Sequence, residues 1–322
     1  MTSNTTPLLP WKVRFTMSII SFLISVSRRS NDTVNRRLFN FFDRKISPNP
    51  NFKDGVSSSD VIVDPMRNLW FRLFIPSSNS FSDVPLPVFV FFHGGGFAMC
   101  SPSSIIYNNI CRLFCRSFSA IIVSVNYRLS PEHRFPSQYN DGLEILKFLD
   151  QNNNVLGKSA DISKCFLSGD SAGGNLAHHV AVRIPLEKFQ NLKVIGEERT
   201  ESETRFKQAP GVSMDKTDWY WKMFLPDGLT RDHEVVNVSG PNAMDISNVD
   251  YPDTLLCVGG LDPLLDWQKR YYKWLIKSGK EVELIEFTNM IHAFYYFSDL
   301  PETSHFISKV KDFITRQMAN VS

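Results

Sequence analysis

Three segments hold residue types that together can carry out acyl transfer. Gly169-Asp170-Ser171-Ala172-Gly173 is a G-x-S-x-G sequence between a short apolar run, residues 165–168, and a stretch of helix-forming residues. That context puts the serine on a tight turn, where only small neighbours let strand and helix approach. A helix N-terminus behind it favours developing negative charge. His93-Gly94-Gly95-Gly96 follows a second apolar run, residues 88–92. Successive glycines let backbone N–H groups converge on one point, which is how an oxyanion is held. The amides of Gly95, Gly96 and Ala172 are the expected donors. A phosphate loop is the other reading of the glycines. It lacks both the Gly-Lys-Ser/Thr ending and a G-x-G-x-x-G with a downstream ribose-binding acid.

A serine nucleophile needs a base, and the base needs an orienting acid. Asp262 follows the apolar run 254–258, and His292 follows the run 282–287. The order serine, acid, histidine places both at the C-terminal ends of strands, where open α/β sheets bind ligands. In this reading His292 takes the serine proton and Asp262 orients the imidazole. Asp266, four residues on, is the rival acid, one turn into the following helix. His178 and His179 ride on the helix after Ser171, His233 falls in a cap region and His305 on the last helix; each reads as structural.

The elements that must position these residues alternate. Apolar runs at 60–64, 69–74, 87–92, 120–125, 165–168, 254–258 and 282–287 read as strands. Residues 107–118, 136–151, 266–277, 301–318 and the stretch after Ser171 have helical spacing. Alternation of this kind predicts an α/β fold with a mostly parallel central sheet flanked by helices. Residues 1–45 read as a helical segment over the domain 46–322, with 197–250 as a cap insertion. One strand is missing from the pattern. After the nucleophile helix, the apolar run Val194-Ile195 passes directly into Gly196-Glu197-Glu198-Arg199, too short and polar for a buried central strand.

Bulk properties exclude several function classes. In 322 residues, 43% are hydrophobic and 13% aromatic, which supports a packed core. A net charge of +2 without a basic stripe gives no reason to expect nucleic acid. Five scattered cysteines and no C-x-x-C predict neither disulfides nor a zinc site, and fit a cytoplasmic or nuclear location. The apolar run 15–26 is too short to span a bilayer, and Arg28-Arg29 follows it instead of a cleavage site, so a packed helix is expected, not a signal peptide. No cofactor or metal is expected, and the partner implied is a small-molecule ester.

The chain resembles the plant carboxylesterases of the hormone-sensitive-lipase group, an α/β-hydrolase family, and closely resembles its carboxylesterase 18 members. The resemblance runs through residues 93–97, 126–133 and 169–175, Gly240-Pro241-Asn242, Asp262-Pro263-Leu264 and His292-Ala293-Phe294. It implies a metal-independent esterase whose N-terminal helices cover the active site. It also implies that the segment from Arg128 to Glu132 and Asp141 support the active-site loops, where the residues alone read equally as a surface turn and a helix start; His93 and Asp170 are expected to support the site with them. The gibberellin receptors of the same group share the Asn- and Arg-rich segment seen here at 28–36, and the resemblance implies that they lack the histidine present here as His292.

Overall fold

The computed structural model describes residues 9–77, 85–187, 189–192, 194–199 and 214–320. Two helices, α1 (Trp11–Ser27) and α2 (Arg36–Phe42), precede the sheet. The body then runs β1 (Val56–Asp64), β2 (Leu69–Pro76), β3 (Leu86–Phe92), α3 (Ile105–Phe118), β4 (Ile121–Asn126), α4 (Ser137–Gln151), β5 (Ala160–Gly169) and α5 (Ala172–Arg183). It continues with β6 (Val194–Arg199), α6 (Met214–Phe224), β7 (Thr254–Gly259), α7 (Leu265–Lys277), β8 (Val282–Phe287) and α8 (Pro301–Ala319). The eight strands form one sheet in the order β1-β2-β4-β3-β5-β6-β7-β8. Pairing is antiparallel at one edge, β1 with β2 and β2 with β4, and parallel from β4 to β8. This is the α/β-hydrolase fold class.

The period-2 alternation of a strand divides the central runs between two cores. In β3, every residue is buried. Val88, Val90 and Phe92 join one apolar cluster with α4, α5 and α7, while Phe89 and Phe91 join the other with α3 and α8. Strands β4, β5 and β7 divide in the same way: Leu167 and Val258 face the first cluster, Phe166 and Cys257 the second. Each such side chain contributes about 1.5–3 kcal/mol through burial. A continuous apolar run is therefore what a two-faced sheet requires.

The strand that the apolar pattern does not provide is present. β6 lies between β5 and β7, pairing Phe166 with Gly196 and Leu167 with Glu197 on one side. On the other it pairs Glu197, Glu198 and Arg199 with Thr254, Leu255 and Leu256. Residues 197–199, expected in the cap, belong to this strand. The correction has a physical cause: ladder hydrogen bonds come from the backbone, so charged residues can occupy a central position when the neighbouring strands supply the partners. Of the segment expected as a cap, α6 is the first described helix.

A proline tests the strand directly, because it cannot donate to a ladder. Glu198→Pro is expected to cost about 1–3 kcal/mol per ladder group left unpaired, read as a lowered midpoint in chemical denaturation. A tolerated proline there would mean that the segment lies outside the sheet.

Candidate active site

Ser171 sits between β5 and α5 with φ 54° and ψ −119°. A non-glycine residue with this backbone stores about 1–3 kcal/mol of strain, which the surrounding packing must hold. The packing is tight: a side chain at Gly173 would collide with the Phe92 carbonyl at the end of β3. This closeness sets the serine at the C-terminal ends of β3 and β5.

His292 and Asp262 arrive from the loops after β8 and β7. Their contact, His292 Nδ1 to Asp262 Oδ2, is 2.8 Å. Both are buried, at 8% and 1% exposure. Burial raises the Asp262 carboxyl above the usual range, while the His292 contact pulls it down. The second oxygen of Asp262 accepts the Leu264 amide at 2.9 Å, which fixes the carboxylate in plane. Asp266 lies in the first turn of α7, so the structure brings Asp262 and not the rival acid to His292. His178 instead joins Tyr251 and Tyr271, with its Nδ1 at 2.7 and 3.1 Å from their hydroxyls.

Ser171 and His292 line one cavity of about 250 Å³ together with Gly95 and Gly96. Gly95 has φ +96° and Gly96 φ +61°, backbone that favours glycine, and a side chain at Gly96 would strike the ring of Tyr220. Ala172 is the buried first residue of α5, next to the serine.

The supporting residues divide into two groups. Asp170 is buried, and its carboxylate accepts the Gly94 amide at 2.9 Å, the Tyr107 hydroxyl at 3.0 Å and the Tyr296 hydroxyl. Burial raises its pKa against the pull of these donors. Tyr107 and Tyr296 also meet each other, 2.8 Å between hydroxyls. Neither tyrosine follows from the motifs. Tyr296 lies four residues after His292, but nothing in that spacing signals its aim at Asp170. Arg128 and Asp141 form a forked pair, Nε to Oδ2 at 2.9 Å and Nη2 to Oδ1 at 2.8 Å, and Asp141 also accepts the Arg128 amide at 2.9 Å. They brace the loop after β4 against α4.

Glu132 has a different partner. Arg36 of α2 reaches across to it, Nε to Oε1 at 3.0 Å and Nη2 to Oε2 at 2.6 Å. The same guanidinium donates to the carbonyls of Ser130, at 2.5 Å, and Ala98. Burial raises the Glu132 carboxyl, but the Arg36 contact together with its own backbone amide and the nearby His133 holds the pKa below the usual value. One arginine therefore ties the N-terminal helices to the loops after β3 and β4. From α1, Met17, Ile20, Leu23 and Ile24 roof the cavity.

Residues 89–296 match a family model for the alpha/beta hydrolase fold. The chain belongs to the α/β-hydrolase family. This α/β-hydrolase is 38% identical over 318 residues to gibberellin receptor GID1C of Arabidopsis thaliana, covering 93% of this chain and 91% of the receptor. It is 34% identical over 280 residues to carboxylesterase 20 of the same plant, covering 80% and 85% of the two chains. Among solved structures, an ester hydrolase from the metagenome of Lake Arreo superposes with a TM-score of 0.74 at 21% identity, covering 97% of this chain and 99% of that one. An esterase from the archaeon Pyrobaculum calidifontis gives 0.72 at 24% identity, covering 98% and 100%. These two likenesses concern the fold. No described helix of this α/β-hydrolase is long and apolar enough to cross a membrane.

His93 supplies a pH-dependent test. It is buried, stacks on Tyr127 with 4.3 Å between ring centres, and its Nδ1 lies 2.8 Å from the Gly94 carbonyl. Its Nε2 has no hydrogen-bond partner among the described residues. Burial lowers its pKa from 6.5 to about 3. The unfolded chain therefore takes up this proton below pH 6.5 and the folded protein does not, so stability is full above that pH and falls as pH drops towards 3. Between pH 7 and 5 the loss is expected to be about 2 kcal/mol larger in the native protein than in His93→Gln. Urea denaturation at the two pH values measures it; equal losses would assign the dependence to other groups.

Proposed function

We propose that this α/β-hydrolase is a carboxylic ester hydrolase acting on small or medium acyl esters through an acyl-enzyme. The observation that carries the reading is the 2.8 Å His292–Asp262 contact at the cavity that also holds Ser171, Gly95 and Gly96. In this mechanism Ser171 Oγ attacks the ester carbonyl carbon and His292 Nε2 takes the serine proton. The carbonyl oxygen becomes an oxyanion received by the amides of Gly95, Gly96 and Ala172. The C–O bond to the alkoxy group breaks, and the alcohol leaves with the proton held by His292. Water then gives a proton to His292 and attacks the acyl-serine carbonyl. Collapse of that second intermediate frees the carboxylic acid and returns the proton to Ser171. Asp262 orients the ring and stabilises its cation throughout.

A cavity of about 250 Å³ lies just under the usual range of roughly 300–1,000 Å³ for small-molecule sites, which supports small or medium substrates. The motifs resembling carboxylesterase 18 support the same class. Five free thiols, Cys100, Cys111, Cys115, Cys165 and Cys257, support a cytoplasmic or nuclear location. Strand β6 completes the sheet between β5 and β7, which supports an intact enzyme over a shortened, impaired form.

A second reading is a hormone-like small-molecule binding protein without turnover. It is favoured by the 38% identity to a protein named as a gibberellin receptor, and by a lid that closes over the cavity. Labelling with an organophosphate separates the two, because it needs an assembled nucleophile and oxyanion site. Under the esterase reading Ser171 is labelled stoichiometrically. Aryl acetate turnover then falls by roughly 10³-fold or more in Ser171→Ala and in His292→Gln, with unchanged melting. Undiminished turnover in Ser171→Ala would remove the serine from the mechanism. Absence of both labelling and turnover, together with saturable binding of a gibberellin, would establish the receptor reading.

A further inference from the structure

The lid helix α1 has two apolar faces. Residues in a helix advance by about 100° each, which separates them cleanly. On the inner face, Val13 and Met17 are buried, and Ile20, Leu23 and Ile24 roof the cavity with Met17. On the outer face, Trp11, Phe15, Ile19, Phe22 and Val26 fall within an arc of roughly 80°. These five are 71%, 60%, 43%, 63% and 37% exposed. On α2, Phe41 is 80% exposed. A helix apolar on opposite sides is stable either between two protein layers or at the boundary of water and lipid.

Charge decides between these settings. Residues 11–45 hold eight Lys and Arg against two acids, Asp32 and Asp43, although the whole chain carries only +2. Three of the eight have acidic partners, Arg28 with Asp32 and Asp215, Arg36 with Glu132 and Lys45 with Asp43, and Asp32 also contacts Lys222 at 2.5 Å. Lys12 and Arg14 are exposed and fall on either side of the apolar arc, and exposed Arg29 follows its C-terminal end. The outer face is thus a convex aromatic ridge bordered by cations. That pattern matches an anionic bilayer surface, with Trp and Phe at the acyl boundary and ammonium and guanidinium groups on the lipid phosphates. We propose that the outer face of α1 docks this protein peripherally onto anionic membranes. Docking depends on this face alone and stands whether or not the cavity turns over esters.

Sedimentation of the 322-residue protein with phosphatidylcholine vesicles, and with vesicles that also contain phosphatidylserine, tests the proposal. The native chain is expected to sediment with the anionic vesicles, less with the neutral ones, and progressively less as salt rises. Lys12→Glu combined with Arg14→Glu should weaken partitioning by about tenfold or more. Trp11→Ser with Phe15→Ser and Phe22→Ser should do the same through the apolar arm. Melting temperature and far-ultraviolet circular dichroism check folding, and the charge pair carries the test if the aromatic triple variant unfolds. Failure to partition onto either vesicle overturns the proposal, as does partitioning that both variants leave unchanged. A concentration-dependent dimer that the aromatic variant abolishes, without vesicle binding, would reassign the face to contact between copies.

Discussion

The Asp170 carboxylate joins three segments that reach the site from different strands. It belongs to the turn after β5, accepts the Gly94 amide of the loop after β3, and receives the Tyr296 hydroxyl from the loop after β8. Tyr107 brings α3 to the same oxygen at 3.0 Å. A buried carboxylate is costly unless hydrogen-bonded, so these donors are required by burial as well as by geometry. One satisfied group therefore sets the relative positions of the serine turn, the glycine loop and the histidine loop. A side chain at Gly94 would come within 2.6 Å of Asp170 Oδ2, which explains why the loop must be bare at that position.

The lid depends on a similar device nearer to solvent. Arg36 binds two loop carbonyls and Glu132 through one planar group, so α2 is fixed to the loop after β3, which borders the cavity, and to the loop after β4. Further contacts bring α6 to the N-terminal helices: Lys216 of α6 donates to the Ser21 carbonyl at 3.2 Å, and Arg28 stacks over Trp219 at 5.5 Å. The cavity is in consequence built from the sheet below and from two separate helical segments above. The helix α1 that roofs the cavity on one face carries an exposed aromatic surface on the other, so one helix borders both the site and the solvent.

Strand β6 shows how far tertiary context overrides local pattern. Its neighbours, residues 165–167 of β5 and 254–256 of β7, are buried, and they offer backbone partners at their edges. An orphaned edge would leave several buried polar groups unpaired, each costing about 1–3 kcal/mol. Six residues, half of them charged, complete the ladder. The spacing of β7 from β5, and with it the position of Asp262 relative to Ser171, follows from this strand.

The sequence by itself determined the alternation of strands and helices, the G-x-S-x-G turn, the glycine loop and the order of serine, acid and histidine. These are legible because they depend on local chemistry: apolar runs for two-faced strands, small residues where backbones approach, and chain order at strand ends. Asp262 over Asp266 was also readable, since four residues of helix carry the rival a full turn away. Only the tertiary structure decided that Tyr107 and Tyr296 converge on Asp170, that Glu132 holds the lid through Arg36, and that residues 194–199 form a central strand. Each of these rests on a partner distant in sequence, 63 and 126 residues away for the tyrosines and 96 for Arg36. A side chain's own neighbours carry no record of such a partner, and a backbone ladder leaves no trace in side-chain hydropathy.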